Sequence, residues 1–312
     1  MADRYQLFHV QRRDEIQLAR PAGLGEHGDG LRRATLIGRR VGAVHTGFAL
    51  CSLEPSGFLA THVHSTEQSF YVLAGTPSVT VDRRAYQLAA NDCGLLPVGV
   101  EHAWRNGSTE PALWLEMNAP APRISGPPDT FWTGPPAPAG ESQPPDIRDP
   151  RTRTFFRLQA DDMDVDHLKV GAPVDAPTVS ASMATALLAY SGIAVKMLID
   201  QRLGAVLHTM FMVEYQPGGV AQPHDHPLEE TYYLLEGEVE ATAEGNVFTL
   251  RPGDVFWTGV GCVHAFHNCT RGRVRFLETQ SPQPPANHSY RFNRDWDYLD
   301  TQMVKAEPTG EL

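Results

Sequence analysis

Clusters of positive charge are missing from this chain of 312 residues, in which 26 Lys and Arg face 37 Asp and Glu for a formal net charge of −11. The pairs Arg12-Arg13, Arg32-Arg33 and Arg39-Arg40 are short and scattered. No basic stripe is available to neutralise a phosphate backbone, so nucleic acid is excluded as the expected partner. Long apolar runs are missing as well. The longest uncharged, largely apolar stretch, Ala184 to Val195, is too short to span a bilayer and suits a buried element. Met1-Ala2-Asp3-Arg4 leads into Gln11-Arg12-Arg13-Asp14-Glu15 without the apolar centre of a secretory signal. The expectation is a soluble, cytoplasmic protein without membrane contact. Cysteine is scarce: Cys51, Cys93, Cys262 and Cys269 show no Cys-x-x-Cys spacing. That argues against a disulfide framework and leaves reduced thiols that pack as small hydrophobes.

What the sequence does hold is a repeat of histidines. Six of its 13 fall into two sets, His62, His64 and His102, then His224, His226 and His264, displaced by 162 residues. Around them Leu36-Ile37 matches Leu198-Ile199, Gly75 matches Gly237, Asp92 matches Asp254 and Asn106 matches Asn268 at the same displacement. So many matches in register imply a duplicated domain, which agrees with two domains' worth of chain. Between the copies, Asn118 to Pro150 contains ten prolines, a density that cannot supply ladder hydrogen bonds. This segment reads as a linker or surface wrap, with Phe131-Trp132 docked on a domain. The expected boundaries are a first barrel with its N-terminal arm over 1–117, a linker and connecting segment over 118–190, a second barrel over 191–283 and a tail over 284–312. A short helix is expected over Ser180 to Ser191.

Within each copy the periodicity is that of strands. Phe48 to Leu53, Phe70 to Leu73 and Ser78 to Val81 have counterparts in Phe211 to Tyr215, Thr231 to Leu235 and Val239 to Ala243. Turn sequences such as Gln216-Pro217-Gly218-Gly219 punctuate them, and no helical segments alternate with them. The fold class is therefore all-β, an antiparallel sandwich or barrel, and not parallel α/β.

Successive strand side chains point to opposite faces, so His224 and His226 share one face, taken to be the barrel interior. Glu230 returns to that face after a short turn, and His264 arrives from a later strand. Three neutral imidazoles and one carboxylate suit a borderline divalent ion such as Fe, Mn, Ni, Cu, Co or Zn better than Ca or Mg. The first copy presents His62, His64, Gln68 and His102. Its amide offers an oxygen but no charge, so this site should hold metal more weakly, or be a cluster of core histidines retained after duplication. Glu67 is adjacent but turned by strand alternation to the other face. The expected cofactor is one divalent transition metal per chain in the second site, or two if the first also fills.

The spacing Gly218-x5-His224-x-His226-x3-Glu230-x6-Gly237, with Gly253-x5-Gly259-x-Gly261-x2-His264-x3-Asn268, resembles the two motifs of the cupin superfamily. Gly259 stands where proline is usual. The first copy, Gly57-x4-His62-x-His64-x3-Gln68-x6-Gly75 with Asn91-Asp92-x4-Pro97-x-Gly99-x2-His102-x3-Asn106, looks similar, and the resemblance covers roughly two thirds of the chain. It implies a bicupin of two tandem double-stranded β-helix (jelly-roll) barrels, a small-molecule substrate, and pairing through the sheets as a homodimer. It does not imply one reaction, since this fold hosts dioxygenases, decarboxylases, isomerases, hydrolases and binding proteins.

The leading expectation is a metal-dependent oxidoreductase of the dioxygenase type, with Glu230 as ligand or base and Tyr232 facing the interior near the metal. Redox-neutral hydrolysis, decarboxylation or isomerisation is the alternative, since ureidoglycine aminohydrolases are bicupins of similar layout. A non-catalytic small-molecule binder is the third reading. Phe211, Phe256, Trp257 and Phe266 are candidate pocket walls, although strand parity cannot place all four inside. His45 and His208 begin inner strands and are candidate pocket liners, although a satisfied histidine is the commoner outcome; Cys262 can approach the metal or simply pack, and His267 should point away.

Overall fold

The computed structural model describes residues 6–126, 128–138, 140, 142–146, 154–159, 162–163, 192–283 and 291–292. The first barrel is built from Gly28–Ile37, Gly47–His64, Glu67–Ala74, Ser78–Val81, Arg84–Gln87, Asp92–Leu96, His102–Arg105 and Ala112–Ala119. The second uses Ile193–Ile199, Thr209–Tyr215, Val220–Asp225, Glu229–Glu236, Val239–Ala243, Asn246–Leu250, Val255–Thr258, His264–His267 and Val274–Ser281. The strands of each barrel pair antiparallel, mostly with partners distant in the chain, and among the described residues no α-helix forms. The all-β expectation holds. No helix among these residues is long and apolar enough to cross a membrane. The helix expected over Ser180 to Ser191 lies outside the described residues.

Strand alternation separates three cores. One fills the first barrel, around Trp104 and Trp114, whose rings stack 4.8 Å apart. A second fills the other barrel, around Phe211, Tyr232, Phe256, Phe266 and Phe276. The third lies between the barrels and takes Phe48, Leu115 and Met117 from one with Met210, Met212, Tyr233, Trp257 and Leu277 from the other. Each central sheet is thus apolar on both faces, as a strand covered on both sides must be. Gly75 and Gly237 close equivalent turns at φ of +77° and +81°, where a Cβ would meet backbone at 2.7 and 2.5 Å. Only glycine fits such positions.

Each barrel also receives an arm from the other half of the chain. Phe8–Gln11, which the sequence groups with the first barrel, instead pairs with Val255–Thr258 of the second. That is a correction to the expected first domain, and no local pattern reveals it. Phe155–Arg157, from the segment leading to the second barrel, pairs in turn with the first barrel's Asp92–Leu96. The two arms end on equivalent ion pairs, Arg12 Nη1 to Asp254 Oδ2 at 2.8 Å and Arg157 Nε to Asp92 Oδ1 at 2.7 Å.

The arm explains why glycine replaces the usual proline at 259. The Gly259 N–H donates to Leu7 O at 2.7 Å, and a proline has no hydrogen to give. Gly259→Pro is expected to loosen the arm and destabilise the protein by about 1–3 kcal/mol, read as a lower midpoint of thermal unfolding. An unchanged midpoint would show that the arm contributes nothing there.

Two buried carboxylates reinforce the same interface. Glu229 Oε1 accepts from the Val44 N–H at 2.8 Å, and its Oε2 accepts from His45 and Thr46 at 3.0 and 2.9 Å. Glu67, at the matching position, accepts from Val206, Leu207 and His208 at 2.8, 3.0 and 3.2 Å. Strand alternation had put Glu67 on the face opposite the histidines, and this is where that face leads. The linker is likewise part of the first barrel wall, with Thr130–Trp132 pairing with Val63 and both flanking histidines.

Candidate metal centre

The ligand histidines are placed by register. His62 lies directly opposite His102 on the neighbouring strand, and His224 opposite His264. His64 and His226 come two residues later. In each set the donor atoms lie within 4.8 Å of one another, so the two triads expected from sequence are each brought together.

What fixes the rings is their other nitrogen. His62 Nδ1 lies 2.7 Å from Ala60 O, and His102 Nδ1 2.9 Å from Val100 O. The equivalents are His224 with Gln222 O at 2.6 Å and His264 with Cys262 O at 3.0 Å. His226 Nδ1 reaches Leu228 O at 3.0 Å, whereas His64 Nδ1 reaches the linker's Thr130 Oγ1 at 2.9 Å. A carbonyl can only accept, so five of the six rings carry a proton on Nδ1, which leaves Nε2 as the nitrogen that would meet an ion. That is the tautomer a metal ligand needs, held by its outer hydrogen bond. Burial lowers His62 and His102, and lowers His64, with help from His62 and Arg33, to about 3. Burial and the neighbouring His264 bring His224 to about 3 too. Neutral imidazoles are the form that binds metal.

In the second barrel Glu230 Oε2 stands 2.7 Å from His226 Nε2 and 3.3 Å from His264 Nε2. Burial pushes this carboxyl up, but His226 and His264 outweigh it and hold Glu230 well below the usual carboxylate range. Burial lowers His226, and the Glu230 carboxylate more than reverses that. Tyr232 OH donates to Glu230 Oε2 and lies 2.9 Å from His264 Nε2. Gln280 Nε2 donates to Glu230 Oε1. The four side chains expected at the principal site therefore converge, and three imidazoles with a carboxylate would suit a divalent transition ion.

The first barrel repeats the histidines without the charge. Gln68 Oε1 and His102 Nε2 are buried with no hydrogen-bond partner, as expected of atoms whose partner is an ion. Trp132 of the linker lies 5.2 Å from His62 and stacks on His27 at 4.5 Å, which bears out docking of the linker aromatics for Trp132. Phe131 remains 48% exposed.

Two acids missed in the sequence complete the comparison. Glu278-x-Gln280 repeats Glu116-x-Asn118 at the displacement of 162, a signal that was there to read. In the first barrel Glu116 is neutralised, with Arg33 Nε 3.2 Å and the Trp114 indole N–H 3.1 Å away. In the second, Val195 stands in the place of Arg33 and Phe276 in that of Trp114. Burial, then Glu230, pushes the Glu278 carboxyl well above its usual range, against a weaker hydrogen bond from Gln280.

The structure places the remaining candidates as well. His208 is a satisfied histidine, the commoner outcome for such a residue: it is buried between the barrels, with Nδ1 2.8 Å from Glu67 Oε1 and Nε2 2.8 Å from Ser69 Oγ. His45 supplies a backbone N–H to Glu229. Phe211, Phe256 and Phe266 are inside the second barrel, but Trp257 belongs to the inter-barrel core. Cys262 packs inside with the aromatics, its thiol pushed up to about 12 by burial and then by Glu244 and Glu230.

The cupin domain family (Cupin_2) matches residues 49–118 and again 211–279, and each match encloses one complete four-residue set. The chain is a bicupin. Its fold is shared with oxalate decarboxylase from Lactobacillus farciminis in a formate complex, at TM-score 0.60 and 17% identity over 98% of this bicupin and 94% of that chain. Salicylate 1,2-dioxygenase from Pseudoaminobacter salicylatoxidans, with gentisate adducts, superimposes at TM-score 0.65 and 13% identity over 89% and 81%. The germin-like protein subfamily 2 member 2 of Arabidopsis thaliana is 35% identical over 83 residues, 25% of this bicupin. The bicupin spans only 38% of that relative's length.

Proposed function

We propose that this bicupin is a metal-dependent enzyme that oxidises a small organic molecule with dioxygen in its second barrel. The observation that carries the reading is the broken symmetry of two equivalently placed pockets. Only the second has a carboxylate among its imidazoles, and only there is the interior acid Glu278 released from arginine. When bound, a redox-active divalent ion would supply electrons to dioxygen and positions where substrate and dioxygen meet. In a dioxygenase both oxygen atoms enter the product, so no external reductant is consumed.

The chain's own residues then have definite tasks. Tyr232 holds its proton on Glu230 Oε2, Gln280 fixes Oε1, and the aromatic floor of Phe256, Phe266 and Phe276 excludes water from below the site. The fold-sharing salicylate dioxygenase supports the oxygenase reading, and the oxalate decarboxylase supports a small carboxylic acid as substrate. Oxygen uptake with iron or manganese and a panel of small carboxylic acids tests it. Tyr232→Phe should lower turnover about 10–100-fold while leaving metal content intact. Absence of uptake with every redox metal would refute the proposal.

A second reading is favoured by the closeness of Glu278 to Glu230, because decarboxylation must return a proton to carbon and buried acids can deliver it. Carbon dioxide released at an undiminished rate without oxygen would select that reading over the first.

A further inference from the structure

We infer that Glu240, His267 and Cys269 form a third metal site, on the outer surface of the second barrel and independent of the barrel interiors, for a thiophilic divalent ion of the zinc or cobalt class. One ligand atom from each of the three residues lies within 4.8 Å of the others, and all three side chains are exposed. Cys269 Sγ is 3.2 Å from His267 Nδ1.

The placement follows from strand geometry. Glu240 lies directly opposite His267 on the neighbouring strand, and opposite residues of a pair project from the same face. His264 points inward to its triad, so His267, three residues on, points outward. Cys269 follows after Asn268, a buried residue whose Nδ2 donates to Tyr215 O, Gln216 O and Gly272 O at 3.3, 3.0 and 2.8 Å. Its Oδ1 accepts from Thr270 N at 3.0 Å. The turn is thereby fixed at the residue between two ligands, so little conformational freedom remains to be lost when an ion binds.

The fold does not require these residues. At the matching positions the first barrel has Ser78, Arg105 and Gly107, and Arg105 is used to hold the linker through Ala137 O at 2.8 Å. The same turn, with the same anchoring asparagine at 106, thus exists without a single ligand. Thiolate, imidazole and carboxylate together bring a divalent ion to neutrality, with solvent taking the remaining tetrahedral position. That donor set selects Zn2+ or Co2+ over Mg2+ or Ca2+. Binding expels the thiol proton, so it strengthens as pH rises.

The thiol makes this site separable from the other two. Cys269 is exposed, whereas Cys51, Cys93 and Cys262 are buried, so alkylation of the native, reduced protein reads Cys269 alone. Zn2+ added to the metal-stripped full chain is expected to slow alkylation more than about ten-fold, equally in His226→Ala, which lacks a barrel ligand. His267→Ala should abolish that protection while leaving the thiol in place. In the His226→Ala background, where the competing barrel site is removed, Co2+ should give thiolate-to-cobalt charge-transfer absorption, lost when Cys269→Ser is added. Unprotected alkylation at saturating Zn2+, or a charge-transfer band that survives Cys269→Ser, would overturn the inference.

Discussion

His226→Ala is expected to strip the second barrel of its metal, with a loss of affinity of at least about 100-fold, while His64→Ala removes little from the purified protein. The difference comes from charge, not from histidine count. Both triads anchor their rings at Nδ1 through an outer oxygen and turn Nε2 to the centre, but three imidazoles with Gln68 would leave a divalent ion its full +2, whereas Glu230 would reduce that to +1. In the second barrel the carboxylate is itself positioned by Tyr232 and Gln280, so little must be reorganised to bind. Elemental analysis of the two variants beside the parent protein decides the matter, and metal lost from His64→Ala but kept by His226→Ala would reverse the assignment. Gln68→Glu provides the complementary check: by restoring the charge it should raise retention in the first barrel, provided the His226→Ala background removes the competing site.

The second large effect falls on stability. Glu229→Ala leaves three backbone N–H groups of Val44, His45 and Thr46 without their acceptor in an interface where Glu229 is 4% exposed. A cost of about 3–5 kcal/mol is expected, because unpaired donors forfeit their solvation and recover nothing. Denaturant unfolding, followed by fluorescence of the interfacial Trp257, should show the midpoint fall, and an unshifted midpoint would refute the clamp. Its counterpart adds a pH dependence. Burial raises the Glu67 carboxyl, but His208 and the backbone N–H groups of Val206 and Leu207 outweigh it and hold the group below its ordinary 4.5. A depressed carboxylate contributes fully above its unfolded value and loses that contribution as pH falls through the folded one. The parent protein should therefore lose stability below about pH 4.5 more steeply than Glu67→Gln. Equal acid limbs would show that this carboxylate does not hold the barrels together.

These two sites show where sequence reading reached and where it stopped. The ligands could be read because metal chemistry needs few residue types, strand parity places them, and duplication displays each twice. Glu230 against Gln68 stood out for the same reason. Glu278 was displayed twice as well, but a glutamate in a strand does not announce which face it occupies; only the loss of Arg33 and Trp114 as partners gives it meaning. For His208 the sequence favoured a satisfied histidine but could not name its partners, because a histidine near a candidate pocket and a histidine between two sheets look alike in one dimension. The partners of the ligand Nδ1 atoms are mostly backbone carbonyls, which every residue has, so composition carries no trace of them. The crossed arms left least signal, since a strand pairing across most of the chain has no local pattern.

That crossing also orders events in time. Phe8–Gln11 leaves the ribosome well before its partner Val255–Thr258, which is translated on the order of 10–50 s later at typical rates of synthesis. Throughout that interval Leu7, Phe8 and Val10 have no sheet to join, and Gly259 is not yet there to receive the Leu7 carbonyl. The first barrel can close as soon as the Phe155–Arg157 arm emerges, but Phe8–Gln11 must wait until Val255–Thr258 has been made. Its docking can only follow translation of Val255–Thr258, and so marks assembly of that sheet of the second barrel.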